Sequence, residues 1–151
     1  MALRAGDLVP DFELTDQHGE TLSLGDLLTR GPVVLFFYPA AFTTGCTAES
    51  CHFRDLASEF GELGARPVGV SGDAVERQRE FDEANSLGFP LLSDPAGTVA
   101  AQFGVRRIGP LPMKRHTFVI GTDRRLLHVT RSEFRMEIHA DEALAALRAS
   151  S

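Results

Sequence analysis

Apolar and polar positions follow two rhythms along this chain, and each rhythm predicts a different kind of element. Residues 33–38, Val-Val-Leu-Phe-Phe-Tyr, form an unbroken apolar run ended by Pro39. Such a run predicts a strand buried on both faces. From Cys46 to Leu63 the spacing changes. Phe53, Leu56, Phe60 and Leu63 recur every three or four residues, with Arg54, Asp55, Ser58, Glu59 and Glu62 between them, predicting one amphipathic helix over 46–63. Residues 67–71 read as a second apolar strand, and Asp73, with Glu76 three positions on, predicts the capped start of a helix reaching about Ser86.

The remaining elements follow by the same rules. Residues 12–14 and 21–24 flank Gln17-His18-Gly19 as a short hairpin. Residues 89–92 predict a strand, 98–103 a short helix, and 117–120 and 126–130 two strands around the turn Gly121-Thr122-Asp123. A last helix is expected over 141–149, with Asp141 and Glu142 early, where the helix dipole favours acids. Strands alternating with helices predict an α/β fold, a mixed central sheet with helices on both faces, and functional residues just beyond the carboxyl ends of strands.

Composition narrows the function classes. At 151 residues, with no linker or repeat, the chain reads as one domain, 1–151, able to bury its own core. A formal charge of −6 argues against nonspecific binding to nucleic acid or an anionic membrane surface. No run approaches the roughly 20 apolar residues of a membrane span, and residues 1–10 lack a secretory pattern, so the expected location is cytoplasmic.

There are two cysteines, Cys46 and Cys51, in one short segment. In a reducing compartment neighbouring thiols are redox-active or metal-binding more often than structural. If the helix begins near Gly45, Cys46 lies in its first turn, where free N–H groups and the positive dipole end favour a thiolate nucleophile. Pro39 fixes the entry to the loop, and Thr43 can offer a hydroxyl. Cysteines five apart on a regular helix have Cα atoms about 8 to 9 Å apart. A disulfide tolerates at most about 7 Å, so this pair can bond only after the helix unwinds locally.

Pro39-x-x-x-Thr43-x-x-Cys46 resembles the peroxiredoxin signature, and Cys51 five residues on resembles the bacterioferritin comigratory protein, or peroxiredoxin Q, subgroup. The resemblance runs along the chain in order: Val9-Pro10-Asp11-Phe12, residues 34–39, Phe89-Pro90-Leu91-Leu92-Ser93-Asp94 and Arg115-His116-Thr117-Phe118-Val119-Ile120. It implies a thioredoxin-like fold and a thiol-dependent peroxidase acting on hydrogen peroxide and organic hydroperoxides without a bound cofactor. It further implies that Cys46 is the peroxidatic cysteine and Cys51 the resolving one. Thr43 would bond sulfur and peroxide, Arg115 would stabilise charge, Glu49 would orient Arg115 and Pro39 would shield the site. The expected reductant is thioredoxin or a similar dithiol, and the expected state a monomer or weak homodimer. Ala40-Ala41-Phe42 departs from the lysine-containing loop of many relatives, and Gly121 stands where an Asp is frequent.

Plainer readings of the same residues stay open. Cys51 could be a buried helix residue, Arg115 a surface charge beside Lys114 and Arg107, Pro39 a strand terminator, and Thr43 and Glu49 capping residues. A redox sensor or disulfide carrier would use the same cysteine pair. A metal site of Cys46, Cys51 and His52 lacks the second short ligand pair that closed zinc sites use; His18, His116, His128 and His139 share no metal-like spacing.

Overall fold

The computed structural model describes residues 3–109 and 111–150, so both ends of the expected 1–151 domain lie outside the described residues. A hairpin, β1 (Glu13–Thr15) and β2 (Thr21–Ser23), precedes α1 (Leu24–Leu28). Next come β3 (Val33–Phe37), α2 (Thr44–Asp55), α3 (Ala57–Glu62), β4 (Arg66–Ser71), α4 (Val75–Asn85) and β5 (Leu91–Ser93). The chain continues through α5 (Thr98–Gln102), β6 (His116–Ile120), β7 (Leu126–Arg131) and α6 (Met136–Ser150).

The seven strands form one mixed sheet in the order β2-β1-β5-β4-β3-β6-β7. β3 runs parallel to β4, and β4 to β5, so helices must cross over between them; the other pairings are antiparallel. β3 lies inside the sheet, and all five of its residues are buried, as its continuous apolar run predicts. Its side chains alternate. Val33, Leu35 and Phe37 enter one core with α1 and α5, while Val34, Phe36 and Tyr38 enter a second core with α2, α3, α4 and α6. Phe36 stacks on Phe53 with ring centroids 4.2 Å apart, which fixes α2 against the strand. Gly69, opposite Phe36 on β4, leaves room for that layer: a Cβ there would lie 2.9 Å from Leu91 and 3.0 Å from Phe36 and Tyr38.

Four expectations change. The helix expected over 46–63 starts at Thr44 and divides at Leu56, whose φ of −97° and ψ of 9° end α2. Phe60 still meets Phe53, at 5.9 Å, and Gly64, at φ +71°, closes α3 with the Ala65 N–H bonded to the Phe60 carbonyl. Asp73 does not cap α4. Ala74 is the N-cap, and the Asp73 carboxylate instead accepts bonds from the Ala41 N–H and the Ser71 hydroxyl, joining two loops. The last helix begins at Met136, so Asp141 and Glu142 lie within it and meet side-chain partners: His52 for Asp141, Thr130 and His128 for Glu142. Finally, α1 was not anticipated, though Ser23 and Asp26 form a reciprocal capping box at its start.

Candidate active site

The loop between β3 and α2 carries the chemistry. Tyr38 fixes its root by donating to Gln78 Oε1; Gln78 Nε2 donates to Ser71 Oγ, and Ser71 donates to Asp73, which also accepts from the Ala41 N–H at 2.8 Å. Burial pushes the Tyr38 phenol well above its ordinary range, so the chain begins from a neutral hydroxyl. Pro39 is half-buried and lines an open depression of about 360 Å³ with Asp73, Asp94, Arg106 and Met113.

Phe42 takes a left-handed backbone conformation, φ 65°, that is strained for an aromatic residue. Its ring lies edge-on to Phe81 of α4 at 5.3 Å, with the Arg77 guanidinium 4.3 Å from its centre. Thr43 is the N-cap of α2 and is exposed; its hydroxyl donates to the Ala40 carbonyl at 2.8 Å. That leaves the oxygen's lone pairs free to accept.

Cys46 is fully buried in the first turn of α2, and Cys51, on the same unbroken helix, is half-buried; both are free thiols. Cys51 Sγ donates to Asn85 Oδ1 at 3.7 Å, and Arg54 holds the Asn85 carbonyl at 2.6 Å. His52 turns to Asp141 on α6. Among the described residues no group of three or more His, Cys, Asp or Glu side chains could hold a metal ion.

Arg115 enters from the start of β6, beside β3, and is 6% exposed, so it is no surface charge. Its Nη1 donates to Glu49 Oε1 at 2.7 Å and its Nε to the Glu133 carbonyl at 3.3 Å, while its N–H donates to the Glu133 carboxylate at 3.0 Å. Burial pulls the guanidinium down, but Glu49 and the Cys46 sulfur outweigh it, and the net direction is up. Gly45 makes room for this approach: a Cβ at residue 45 would lie 3.1 Å from Arg115 Nη2 and 2.7 Å from Met136 Cε.

Glu49 sits one helical turn beyond Cys46 and is fully buried. Burial pushes its carboxyl up to about 8, against the Arg115 charge and hydrogen bond, which pull it down. Its second oxygen, Oε2, has no hydrogen-bond partner and lies 3.5 Å from Nδ1 of the buried His139. Glu133, Thr117 and Asn85 thus join the site without a mark in the sequence, and so does His139, whose spacing had offered no ligand role. Local patterning carries no sign of them, because α4, β6, β7 and α6 bring them in from far along the chain.

Geometry therefore assembles Cys46, Glu49 and Arg115 and leaves Thr43 and Pro39 on the rim. Residues 5–129 match the AhpC/TSA family. The peroxiredoxin Bcp of Bacillus subtilis is 37% identical over 154 residues, covering 98% of this chain and 97% of its own. The crystal structure of peroxidoxin BcpB from Mycobacterium tuberculosis matches with a TM-score of 0.96 and 58% identity over 99% of both chains. A Xanthomonas campestris bacterioferritin comigratory protein, whose structures are described as giving insight into alkyl peroxide reduction, matches at 0.84 and 30% identity over 92% of this chain and 91% of its own. The sheet and its flanking helices are those of the thioredoxin-like peroxiredoxin fold, and the chain belongs to the AhpC/TSA family as a peroxiredoxin of the Bcp and Q type.

Proposed function

We propose that this peroxiredoxin reduces hydrogen peroxide and organic hydroperoxides through Cys46 and recovers through a transient Cys46–Cys51 disulfide. The observation that carries the reading is Arg115, buried against the first turn of α2 and locked by Glu49 at 2.7 Å. A cation held there has no evident structural need, since a buried pair seldom adds net stability. It is suited to negative charge that leaves the sulfur.

The Cys46 thiolate attacks the terminal oxygen of ROOH, forming an S–O bond as the O–O bond breaks. The electron pair leaves on the departing oxygen, a proton gives ROH, and Cys46 becomes a sulfenic acid. Arg115 and the first-turn N–H groups stabilise the developing oxyanion in place. Thr43, its proton engaged by Ala40, accepts from the peroxide O–H. Pro39 shields the sulfur. Phe134, 90% exposed beside Glu133, and Ile108, 92% exposed beside Arg107, flank the Arg107–Glu133 ion pair and suit the alkyl part of an organic peroxide.

In recovery the Cys51 sulfur attacks the sulfenic acid, a disulfide forms and water leaves. On regular helix the two Cα atoms stand about 8 to 9 Å apart, so the first turns of α2 unwind beforehand. Thioredoxin or a like dithiol then reduces the bridge by exchange in a reducing cytoplasm. A coupled assay of peroxide-dependent thioredoxin oxidation tests the cycle. Cys46→Ser is expected to abolish turnover. Cys51→Ser is expected to keep one rapid peroxide reaction per chain without an intramolecular disulfide by mass spectrometry. Sluggish peroxide reaction beside fast exchange with a partner protein would favour a disulfide carrier instead.

A further inference from the structure

Asp73, just after β4, has no part in the cycle above, yet it is tied to the loop that does. Its Oδ2 accepts from the Ala41 N–H at 2.8 Å and from the Ser71 hydroxyl at 2.6 Å. Both ends of one peptide group are therefore engaged. The N–H of the Ala40–Ala41 peptide donates to Asp73, and its carbonyl accepts the Thr43 hydroxyl at 2.8 Å. A carbonyl only accepts, so the single hydroxyl hydrogen of Thr43 is committed to it, and the way this peptide faces decides where the threonine lone pairs face. Asp73 is itself held. The buried Ser71 oxygen gives its hydrogen to Asp73 and accepts from Gln78 Nε2 at 3.0 Å and from the Asp73 N–H at 3.2 Å. Gln78, fully buried, is fixed in turn by the Tyr38 hydroxyl and the Leu92 carbonyl. The chain of bonds thus runs from the core end of β3 to an exposed hydroxyl.

We infer that Asp73 is a positioning residue for the peroxide: by gripping the N–H end of the Ala40–Ala41 peptide it turns the carbonyl end to Thr43 and so aims the threonine oxygen as the acceptor of the peroxide O–H. Asp73 acts through Thr43 and touches neither the sulfur nor the substrate. The inference rests on the peroxidase reading. Two effects work in the same direction. A carboxylate is a strong acceptor for a backbone N–H, so the loop keeps one orientation although Phe42, the next residue, is strained at φ 65°. A bond at one end of a peptide also polarises the other, so the Ala40 oxygen holds the Thr43 hydrogen more firmly. With that hydrogen withheld, Thr43 can only accept. The peroxide must then present its own hydrogen to Thr43, which fixes its orientation towards Cys46.

The test uses the Cys51→Ser background, where Cys46 reacts once, and compares two reagents. One is hydrogen peroxide, followed by rapid quench and mass spectrometry. The other is methyl methanethiosulfonate, which modifies a thiolate and offers Thr43 no O–H. Asp73→Ala is expected to slow the peroxide reaction about tenfold, through misorientation of one contact, and to leave the thiosulfonate reaction unchanged. Asp73→Asn keeps an oxygen for the Ala41 N–H and should restore most of the rate. Thr43→Val is slow by itself, and adding Asp73→Ala to it should bring no further loss, because both changes remove one function. Equal slowing with both reagents, or full additivity with Thr43→Val, means a purely structural Asp73 and overturns the inference. Amide hydrogen exchange at Ala41, read by NMR, needs no turnover and should quicken in Asp73→Ala. Unchanged exchange overturns the grip on the peptide even if the peroxidase reading stands. Quickened exchange in a protein whose Cys46 takes up the thiosulfonate but never reacts with peroxide leaves the grip intact and faults that reading alone.

Discussion

The two faces of the sheet bury side chains to different ends, although the same strands supply both. On one face Phe103 of the α5 end meets Phe12, Phe37 and Phe118 at 5.9, 5.3 and 5.1 Å, an aromatic cluster without polar atoms. On the other, β6 presents Thr117 to His139, while Glu49 and Arg115 lie buried close by. The first arrangement is what hydrophobic burial alone would select. The second costs desolvation of charged groups that apolar packing would avoid. The difference teaches that both faces bury an apolar core but only one adds to it the buried polar groups proposed for the reaction, so substitutions should separate stability from reactivity.

The largest effect should come from the polar face. Arg115→Ala is expected to slow the peroxide reaction by about 10²- to 10³-fold, the size seen when one donor to a developing oxyanion is lost. Stopped-flow rates beside circular dichroism would check this, and a near-normal rate would remove Arg115 from the site. Next comes Phe103→Ala on the apolar face, expected to cost about 3–5 kcal/mol of stability in urea titration. Its rate per folded molecule should be unchanged; a lost rate would mean that the faces are not separable.

Gly45→Ala probes the boundary. Its Cβ would press on Met136 Cε at 2.7 Å and Arg115 Nη2 at 3.1 Å, and because a methionine end yields easily, we expect only about a tenfold slower rate. The smallest effect is on pH dependence. Glu49 binds its proton more tightly folded, at about 8, than at its ordinary 4.5. Its contribution to stability is thus full below about pH 4.5 and lost as pH rises to about 8, and Glu49→Gln should flatten that slope in melts at successive pH values.

Much of this contrast was legible in the sequence, and the illegible part has a common cause. The run at 33–38, the helical spacing after Cys46 and the turn at Gly121 reported local periodicity, which short-range sterics and burial enforce. Cys46, Thr43 and Pro39 lie within eight residues, so their spacing spoke directly. The break at Leu56 had no glycine or proline to announce it. Asp73 looked like a cap because Asp before a helix commonly is one, yet the Ala41 N–H and the Ser71 hydroxyl at the end of β4 claimed its carboxylate. Glu133 and His139 carry no local mark: they reach α2 only because β7 folds back on β6 and α6 packs behind it.

Phe42 leaves one consequence for the lifetime of the enzyme. Its unfavourable backbone is kept in place by a ring clasped between Phe81 and Arg77 on a different helix. Phe42 stands just ahead of the first turn of α2, so the unwinding that the proposed cycle requires pulls against this clasp. While it holds, the newly oxidised sulfur waits unprotected, and a second peroxide arriving in that interval would carry it to the sulfinic acid, beyond the reach of a dithiol. In that cycle a tighter aromatic grip would lower the peroxide dose at which the catalyst retires itself.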